Sequence, residues 1–193
     1  GAEIIQTDAD KGMNGAIDKA NEFKQNNENA YMPMQFKNIA NPAIHYLTTG
    51  PKIYKQAEGK IDQFIAGVGT GGTISGVGVC LKDKNPDTEI IAVEPSSSPV
   101  ISGGKAGEHK IQGIGAGFVP EILNMNVINR VYRVDDDEAF DMTRRVMMEE
   151  GIVCGISSGA NLTAAYNMAS LKENQGKNIV TIICDTGERY LST

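Results

Sequence analysis

The sequence predicts an α/β fold in which a twisted, mostly parallel sheet is flanked by helices. Short apolar strand candidates alternate with segments of helical periodicity from residue 64 to residue 184. Some candidates are near-continuous apolar runs, such as residues 179–183, which are typical of parallel strands buried on both faces. A glycine-rich turn joins the first of these strands to the helix that follows it.

The composition describes an ordinary globular chain. Its 193 residues, 40% hydrophobic and 22% charged, are enough for one substantial core. A net charge of −6 argues against a general nucleic-acid or anionic-membrane surface. No apolar run reaches the roughly 18 to 20 residues of a membrane helix, and the first residues do not form a signal peptide, so a cytoplasmic location is expected.

The three cysteines and the methionines are expected to be structural. Cys80, Cys154 and Cys184 are odd in number and lack the C-x-x-C or histidine spacing of a zinc site. Buried reduced thiols and no metal site are therefore predicted. Met147 and Met148 are predicted to fill the core.

The first part of the chain predicts one strand and one helix before a boundary. Residues 3–7 read as a strand, and apolar residues recur with helical spacing over residues 11–24. A polar turn at residues 26–29 and a proline-containing extended segment follow, and they indicate a boundary near residue 38.

A second helix is predicted directly after this boundary. Asn41 is expected to be its N-cap, with Pro42 at the first helical position. The pair Gly50-Pro51 is expected to interrupt it, with a further turn or two at residues 52–57. His45 would then pack on the helix rather than act as a base.

The rest of the chain alternates between strands and helices. Strands are predicted from residue 64, at residues 88–93, 127–134 and 178–184, and helices at residues 72–83, 137–150 and 159–172. Ligands of such sheets bind at the carboxyl ends of the strands.

The glycine-rich turn is the strongest candidate site. Its residues are Gly69, Thr70, Gly71, Gly72 and Thr73. Glycines let the backbone approach an anion, the free N–H groups at the helix start bind its charge, and the two hydroxyls add donors, so the turn predicts a phosphate site. A tight structural connection is the alternative. The pattern G-x-G-x-x-G, with Glu94 after the next strand, also fits NAD.

Two further loops are expected at the same strand ends. Residues 109–120 contain three glycines and an alanine that leave room for a ligand. A flexible surface loop is the alternative interpretation of the same composition. Residues 154–160 open a helix, where a serine hydroxyl either caps the helix or faces a ligand.

Six motifs together resemble the cysteine synthase (O-acetylserine sulfhydrylase) family of fold-type II pyridoxal-phosphate (PLP) enzymes. They occur in one order along nearly the whole chain: Gln35-Phe36-x-Asn38 with Ala40-Asn41-Pro42, His45 with Thr48-Thr49-Gly50-Pro51, the turn at 69–73, Gly113-Ile114-Gly115-Ala116-Gly117-Phe118, Gly155-Ile156-Ser157-Ser158-Gly159, and residues 187–193. The resemblance favours PLP over NAD and makes Glu94 an ordinary residue at a strand end.

The resemblance also implies roles for matching residues. The turn at 69–73 would hold the phosphate of PLP, and Ser157 would bind the pyridine nitrogen. Gln35 would bind the substrate carboxylate with Phe36 beside it, and Gly113 and Ala116 would line the entrance. A neutral serine does not hold a proton on the ring nitrogen, which favours expulsion of a β-leaving group over transamination.

The implied reaction is a β-replacement. Acetate leaves O-acetyl-L-serine to give an aminoacrylate, and sulfide adds to yield L-cysteine. Implied partners are a second copy of the chain and the C-terminal tail of serine acetyltransferase. Alternatives are a cystathionine β-synthase-like or serine/threonine dehydratase activity, or a non-catalytic module that binds the acetyltransferase tail.

One departure from the family is large. Its Schiff-base lysine and its Thr-Ser-Gly-Asn loop belong upstream of these motifs, and neither pattern occurs in this sequence. The chain therefore resembles a fragment that is inactive alone: residues 1–38 a remnant of the smaller domain, and 39–193 the larger PLP-phosphate-binding domain. Lys11 is expected to be surface charge.

Overall fold

A computed structural model describes residues 1–190, and within them four strands form one parallel sheet. The strands are β1 (Gln63–Gly67), β2 (Glu89–Pro95), β3 (Arg130–Val134) and β4 (Ile179–Thr181), in the order β3-β2-β1-β4. All three strand pairs are parallel, with Phe64 opposite Ile90 and Val180 in its two neighbours. The predicted α/β class is confirmed.

Helices cover both faces of this sheet. They are α1 (Gly12–Gln25), α2 (Ala40–Ile44), α3 (Gly50–Gln56), α4 (Gly72–Lys84), α5 (Asp136–Glu150) and α6 (Ile156–Ala169). Phe64 and Ile90 face a cluster with α4, whereas Ile65 and Ile91 face a cluster with α5 and α6. Because successive strand residues point to opposite faces, this alternation explains why the strands are apolar throughout.

The chain from residue 40 to residue 56 is one continuous helix, so the predicted interruption at Gly50-Pro51 is wrong. A π-helical turn, His45–Thr49, joins α2 to α3, and the N–H of Gly50 donates to the carbonyl of His45. Pro51, which has no N–H, lies directly after this widened turn, where the regular i→i−4 hydrogen-bond pattern is already interrupted.

The predicted cap at Asn41 is also wrong. The helix begins at Ala40, whose N–H donates to Oδ1 of Asn38 at 3.0 Å. Asn41 therefore lies inside the first turn, and its side chain is free to bond elsewhere. Residues 3–7 form no strand, because no strand of the described chain lies beside them to complete a hydrogen-bonded ladder.

Other boundaries shift by a few residues. The α6 helix begins three residues before its predicted start and ends at Ala169, and β4 is shorter than predicted. The α5 helix begins with a capping box between Asp135 and Glu138. Residues 191–193 of the predicted C-terminal motif lie outside the described residues.

Three predicted core residues are on the surface. Cys80 and Cys154 are buried free thiols, but Cys184 is exposed. Met147 and Met148 are 38% and 80% exposed, because α5 buries only Ala139 and Thr143 against its neighbours. Among residues 1–190, no helix has both the length and the apolarity to cross a lipid bilayer.

Candidate functional site

The candidate site lies where the strand order changes direction. From β1 the chain crosses over to β2 and then β3 on one side, and it returns to β4 on the other side of β1. In open α/β sheets such a switch point leaves a crevice at the carboxyl ends of the strands. The turn at residues 69–73, called the phosphate turn below, follows β1 directly at this position.

The phosphate turn has the backbone geometry of an anion site. Gly71 has φ +83°, a left-handed conformation that disfavours any side chain, and α4 begins at the next residue. Within residues 1–190, the amides of Gly69, Thr70 and Gly71 donate to no acceptor. Together with the positive end of the α4 dipole, these donors suit a phosphate group.

Both threonine hydroxyls of the turn contact the helix at residues 40–56. Nδ2 of Asn41 lies 3.0 Å from Oγ1 of Thr70. Nε2 of His45 lies 3.4 Å from Oγ1 of Thr73, and its Nδ1 lies 2.9 Å from Thr49. Burial lowers the pKa of His45, so its imidazole is neutral at pH 7.

A cavity of about 790 Å³ brings most of the predicted site residues together. Six of them line it: Gln35, Phe36, Gly69, Thr70, Gly113 and Ala116. The Phe36 ring packs edge-on against Phe118 with centroids 5.0 Å apart, which forms one wall. The amide of Gln35 is exposed, so it can reach a ligand.

The glycine loop at 113–117 rests on the start of the phosphate turn. The N–H of Gly115 donates to the carbonyl of Val68 at 3.0 Å. A Cβ on Gly69 would lie 2.4 Å from the carbonyl oxygen of Gly113, so the two backbones meet without side chains between them. This contact makes the loop a wall of the cavity rather than a flexible surface segment.

Ser157 lies beneath this loop. Its Oγ would be 3.5 Å from a Cβ on Gly113, and the residue is 4% exposed. Neither serine caps α6, whose N-cap is Gly155. Ser158 accepts a hydrogen bond from the N–H of Cys184 at 2.8 Å, so it is structural, whereas the Ser157 hydroxyl lies beside Gly113 and does not itself line the cavity.

The thiol of Cys184 adjoins this position. Although Cys184 as a residue is exposed, the protein atoms around its thiol partly desolvate it and raise its pKa, with a smaller opposite effect from the neighbouring Ser157 hydroxyl, so the thiol is neutral at pH 7. The Ser157 hydroxyl and the Cys184 thiol are therefore adjacent neutral groups.

Asn161 is a residue that supports the site structurally and that sequence reasoning missed. It is fully buried, its Oδ1 accepts from the N–H of Gly67 at 2.7 Å, and its Nδ2 donates to the carbonyl of Ile182 at 2.9 Å. One side chain thus ties the end of β1 to the segment after β4. The available signal in the sequence was a single asparagine that follows the small residues Ser-Ser-Gly-Ala.

A model of the pyridoxal-phosphate dependent enzyme family matches residues 1–185. The chain belongs to this family. The cysteine synthase of Staphylococcus aureus strain Mu50 is 53% identical to it over 195 residues, covering 100% of this chain and 62% of the relative. The chain therefore spans less than two thirds of this pyridoxal-phosphate dependent relative.

Solved structures of the same family show the same fold. The cysteine synthase of Entamoeba histolytica superposes with a TM-score of 0.93 at 42% identity, covering 100% of this chain and 57% of that one. The O-acetylserine dependent cystathionine β-synthase of Helicobacter pylori gives a TM-score of 0.94 at 38% identity, covering 100% and 62%.

The residues present fit the cofactor of this pyridoxal-phosphate dependent family. The phosphate turn offers three amides that have no acceptor among residues 1–190 and two hydroxyls, and Ser157 offers a neutral hydroxyl beside the loop at 113–117. Glu94, the residue that an NAD site would need, is buried and accepts hydrogen bonds from the N–H groups of Ile101 and Ser102. Among residues 1–190, no group of three or more histidine, cysteine or acidic side chains could hold a metal ion.

Lys11 lines the same cavity, although the sequence predicted only that it is a surface charge. The prediction of exposure is nevertheless confirmed, since 65% of its side chain is accessible and its Nζ lies 3.2 Å from Asp8.

Proposed function

We propose that the chain is part of a PLP-dependent cysteine synthase, which replaces the acetate of O-acetyl-L-serine by sulfide to yield L-cysteine. The observation that carries this proposal is the shared cavity, in which Gln35 and Phe36 meet the phosphate turn and the loop at 113–117. The similarity to cysteine synthases along the whole chain supports it.

The phosphate turn is proposed to bind the phosphate of PLP. Gly69, Thr70, Gly71, Gly72 and Thr73 supply backbone amides and two hydroxyls, and the start of α4 adds its dipole. These donors are fixed by the backbone, so they need little reorganisation when an anion binds.

Ser157 is proposed to bind the pyridine nitrogen. Bound PLP would supply an electron sink for the α-carbon of the substrate. The Ser157 hydroxyl donates to an unprotonated ring nitrogen but, unlike a carboxylate, does not hold a proton there. The neutral Cys184 thiol beside Ser157 adds no negative charge that would favour a proton on the ring nitrogen.

The substrate is proposed to bind between Gln35 and the loop at 113–117. The exposed amide of Gln35 would donate to the α-carboxylate, and Phe36 with Phe118 would exclude water from one side. Gly113 and Ala116 present almost no side chain, so the entrance admits a small amino acid.

The sulfur donor is part of the proposal. The identity of 53% to a cysteine synthase exceeds the 38% to an O-acetylserine dependent cystathionine β-synthase, and this favours sulfide over a larger thiol. In the whole enzyme, the ratio of rates with sulfide and with homocysteine would distinguish the two.

The predicted partners and location belong to the same proposal. Ile39, Ile44 and Leu47 are exposed on the helix at 40–56, which suits contact with a second copy of the chain in a homodimer. The tail of serine acetyltransferase and a cytoplasmic location are proposed on the resemblance. Light scattering of the purified chain tests the dimer.

The cofactor site is tested with pyridoxine 5′-phosphate, which lacks the aldehyde that reacts with surface lysines. We expect calorimetry to detect binding that is lost with unphosphorylated pyridoxine. Ser157→Ala should weaken binding by about fivefold, through one hydrogen bond worth about 1 kcal/mol. Ser170→Ala, at the exposed end of the same helix, is the control. Equal binding of both pyridoxines, or none, would refute the site.

A further inference from the structure

Asn41 joins two parts of the candidate site through a single amide nitrogen. Its Nδ2 donates to the carbonyl of Gln35 at 2.9 Å and to Oγ1 of Thr70 at 3.0 Å. Asn41 lies in the first turn of α2, 29 residues before Thr70, so this is a tertiary contact. Since Nδ2 has two hydrogens, both bonds form at once.

The Thr70 hydroxyl oxygen also receives a second hydrogen bond. The N–H of Gly72 lies 3.3 Å from the same Oγ1. A hydroxyl has two acceptor positions and one proton. When Asn41 and Gly72 occupy both acceptor positions, the Thr70 proton points away from them, and Thr70 acts toward a ligand as a donor.

The packing around Asn41 leaves its side chain little freedom. A Cβ on Gly72 would lie 1.9 Å from Oδ1 of Asn41, so the amide lies directly against the backbone at the start of α4. The close approach is possible because residue 72 has no side chain. The two bonds from Nδ2 then fix which way the amide faces.

We propose that Asn41 is a positioning residue that fixes the Thr70 hydroxyl as a hydrogen-bond donor to the anion in the phosphate turn. The proposal rests on the proposed function, in which this turn holds the phosphate of PLP. It also gives Asn41 a second task, because the bond to the Gln35 carbonyl keeps the substrate-binding segment beside the phosphate turn.

The test measures sulfate binding to the 193-residue chain by calorimetry. Sulfate keeps its charge between about pH 5 and about pH 8, so changes over that range come from the protein. Asn41→Ala should weaken sulfate binding by about fivefold, the loss expected for one misdirected hydrogen bond. Asn41→Asp should weaken it further at about pH 8, because an ionised carboxylate accepts the Thr70 proton and repels the anion.

The pH dependence of Asn41→Asp separates positioning from mere support of the fold. As the pH falls, the introduced carboxyl gains a proton, becomes a donor to Thr70 and should restore much of the affinity. The affinity is expressed as a ratio to that of the unaltered chain, which cancels the titration of His45, His109, Glu108 and Asp10 near the turn. Asn38→Asp, the same change in the preceding turn and without contact to Thr70, should show no such recovery.

A double-mutant cycle with Thr70→Val completes the test. If Asn41 acts through Thr70, then Asn41→Ala should cause no further loss in the Thr70→Val chain. Equal losses in both backgrounds, or a pH-independent ratio for Asn41→Asp, would overturn the positioning role while leaving the phosphate site intact. Absence of sulfate binding in the unaltered chain would instead refute the phosphate site, and the positioning role with it.

Discussion

Gly71 is the residue on which the shape of the phosphate turn depends most directly. Its φ of +83° is strained for any residue with a side chain, and a Cβ there would lie 2.9 Å from Cδ1 of Leu123. We expect Gly71→Ala to reduce sulfate or phosphate affinity by at least about tenfold, because the turn must move to relieve the contact.

Gly103 provides a matched control for this change. It has the same φ of +83°, but a Cβ there meets nothing within 4 Å. Gly103→Ala should therefore cost stability in urea without any effect on anion binding. If both variants bound sulfate as tightly as the unaltered chain, the anion site would not be at this turn.

Tyr190 gives a residue-scale prediction about pH. A hydrogen bond from its hydroxyl to Oδ2 of Asp185, at 2.5 Å, raises the pKa of Tyr190 to about 12. Because the folded-state pKa exceeds the unfolded value near 10, the contribution to stability is complete below about pH 10 and is lost as the pH rises through about 12.

Absorbance at alkaline pH tests this prediction. The unaltered chain should show one tyrosine that ionises at about pH 12, later than Tyr46, whose pKa a hydrogen bond to Asp83 also raises, and Tyr190→Phe should remove that late step. Tyr31→Phe, which removes an 82% exposed tyrosine, should leave the late step in place. A late step that survives in Tyr190→Phe would contradict the assignment.

At the scale of elements, α6 braces the carboxyl ends of β1 and β4 through Asn161. Asn161→Ala would leave the half-buried N–H of Gly67 without its side-chain acceptor and would remove the amide donor to the carbonyl of Ile182. We expect a loss of roughly 2 to 3 kcal/mol in the free energy of unfolding, because an unsatisfied buried polar group costs more than the bond it replaces.

Asn167 is the matched control on the same helix. Its amide donates to the hydroxyl of Tyr132 at 2.8 Å in a half-buried position, and Asn167→Ala should cost about 1 kcal/mol or less. Urea unfolding of the two variants makes the comparison. Equal losses would mean that the brace at Asn161 is no stronger than an ordinary helix contact.

Local patterns account for what the sequence predicted correctly. The strands β1 and β2 and the phosphate turn are determined by residues that are adjacent in the sequence, namely apolar runs and a cluster of glycines, so both could be predicted from the sequence. The roles of the loop at 113–117 and of Ser157 were assigned through a resemblance to a family, and the structure places the loop against the turn and Ser157 against the loop.

Tertiary contacts account for what the sequence did not predict. Asn41 precedes a proline as an N-cap would, yet its partner Thr70 is 29 residues away. Asn161 bonds to Gly67, a separation of 94 residues. The π turn likewise keeps Gly50-Pro51 within a continuous helix. Packing of α4 against residues 40–56 outweighs the local preference of Gly-Pro to end a helix.

At the scale of the whole molecule, the boundary near residue 38 stays a prediction. The α1 helix buries only Gly15, and Met13 and Phe23 on it are 42% and 48% exposed. Residues beyond 39 bury the two large clusters on either side of the sheet. This contrast agrees with a small remnant beside a larger domain.

The isolated chain is expected to make no cysteine from O-acetylserine and sulfide. The family's chemistry needs a desolvated lysine in the site to anchor the cofactor and move the α-proton of the substrate. Among the described residues, Lys11 is the lysine that lines the cavity, and it is largely exposed and paired with Asp8. A lysine in that setting lacks the desolvation that activates a catalytic lysine as a nucleophile.

The assay must separate specific attachment of PLP from random reaction with surface lysines. The chain is treated with PLP, reduced with borohydride and digested to map the labelled peptides, while cysteine production is measured in parallel with the Staphylococcus aureus cysteine synthase as the active reference. We expect scattered, substoichiometric labels and no turnover. Turnover together with a single stoichiometric label at Lys11, both abolished by Lys11→Arg, would show instead that this exposed lysine serves as the catalytic base.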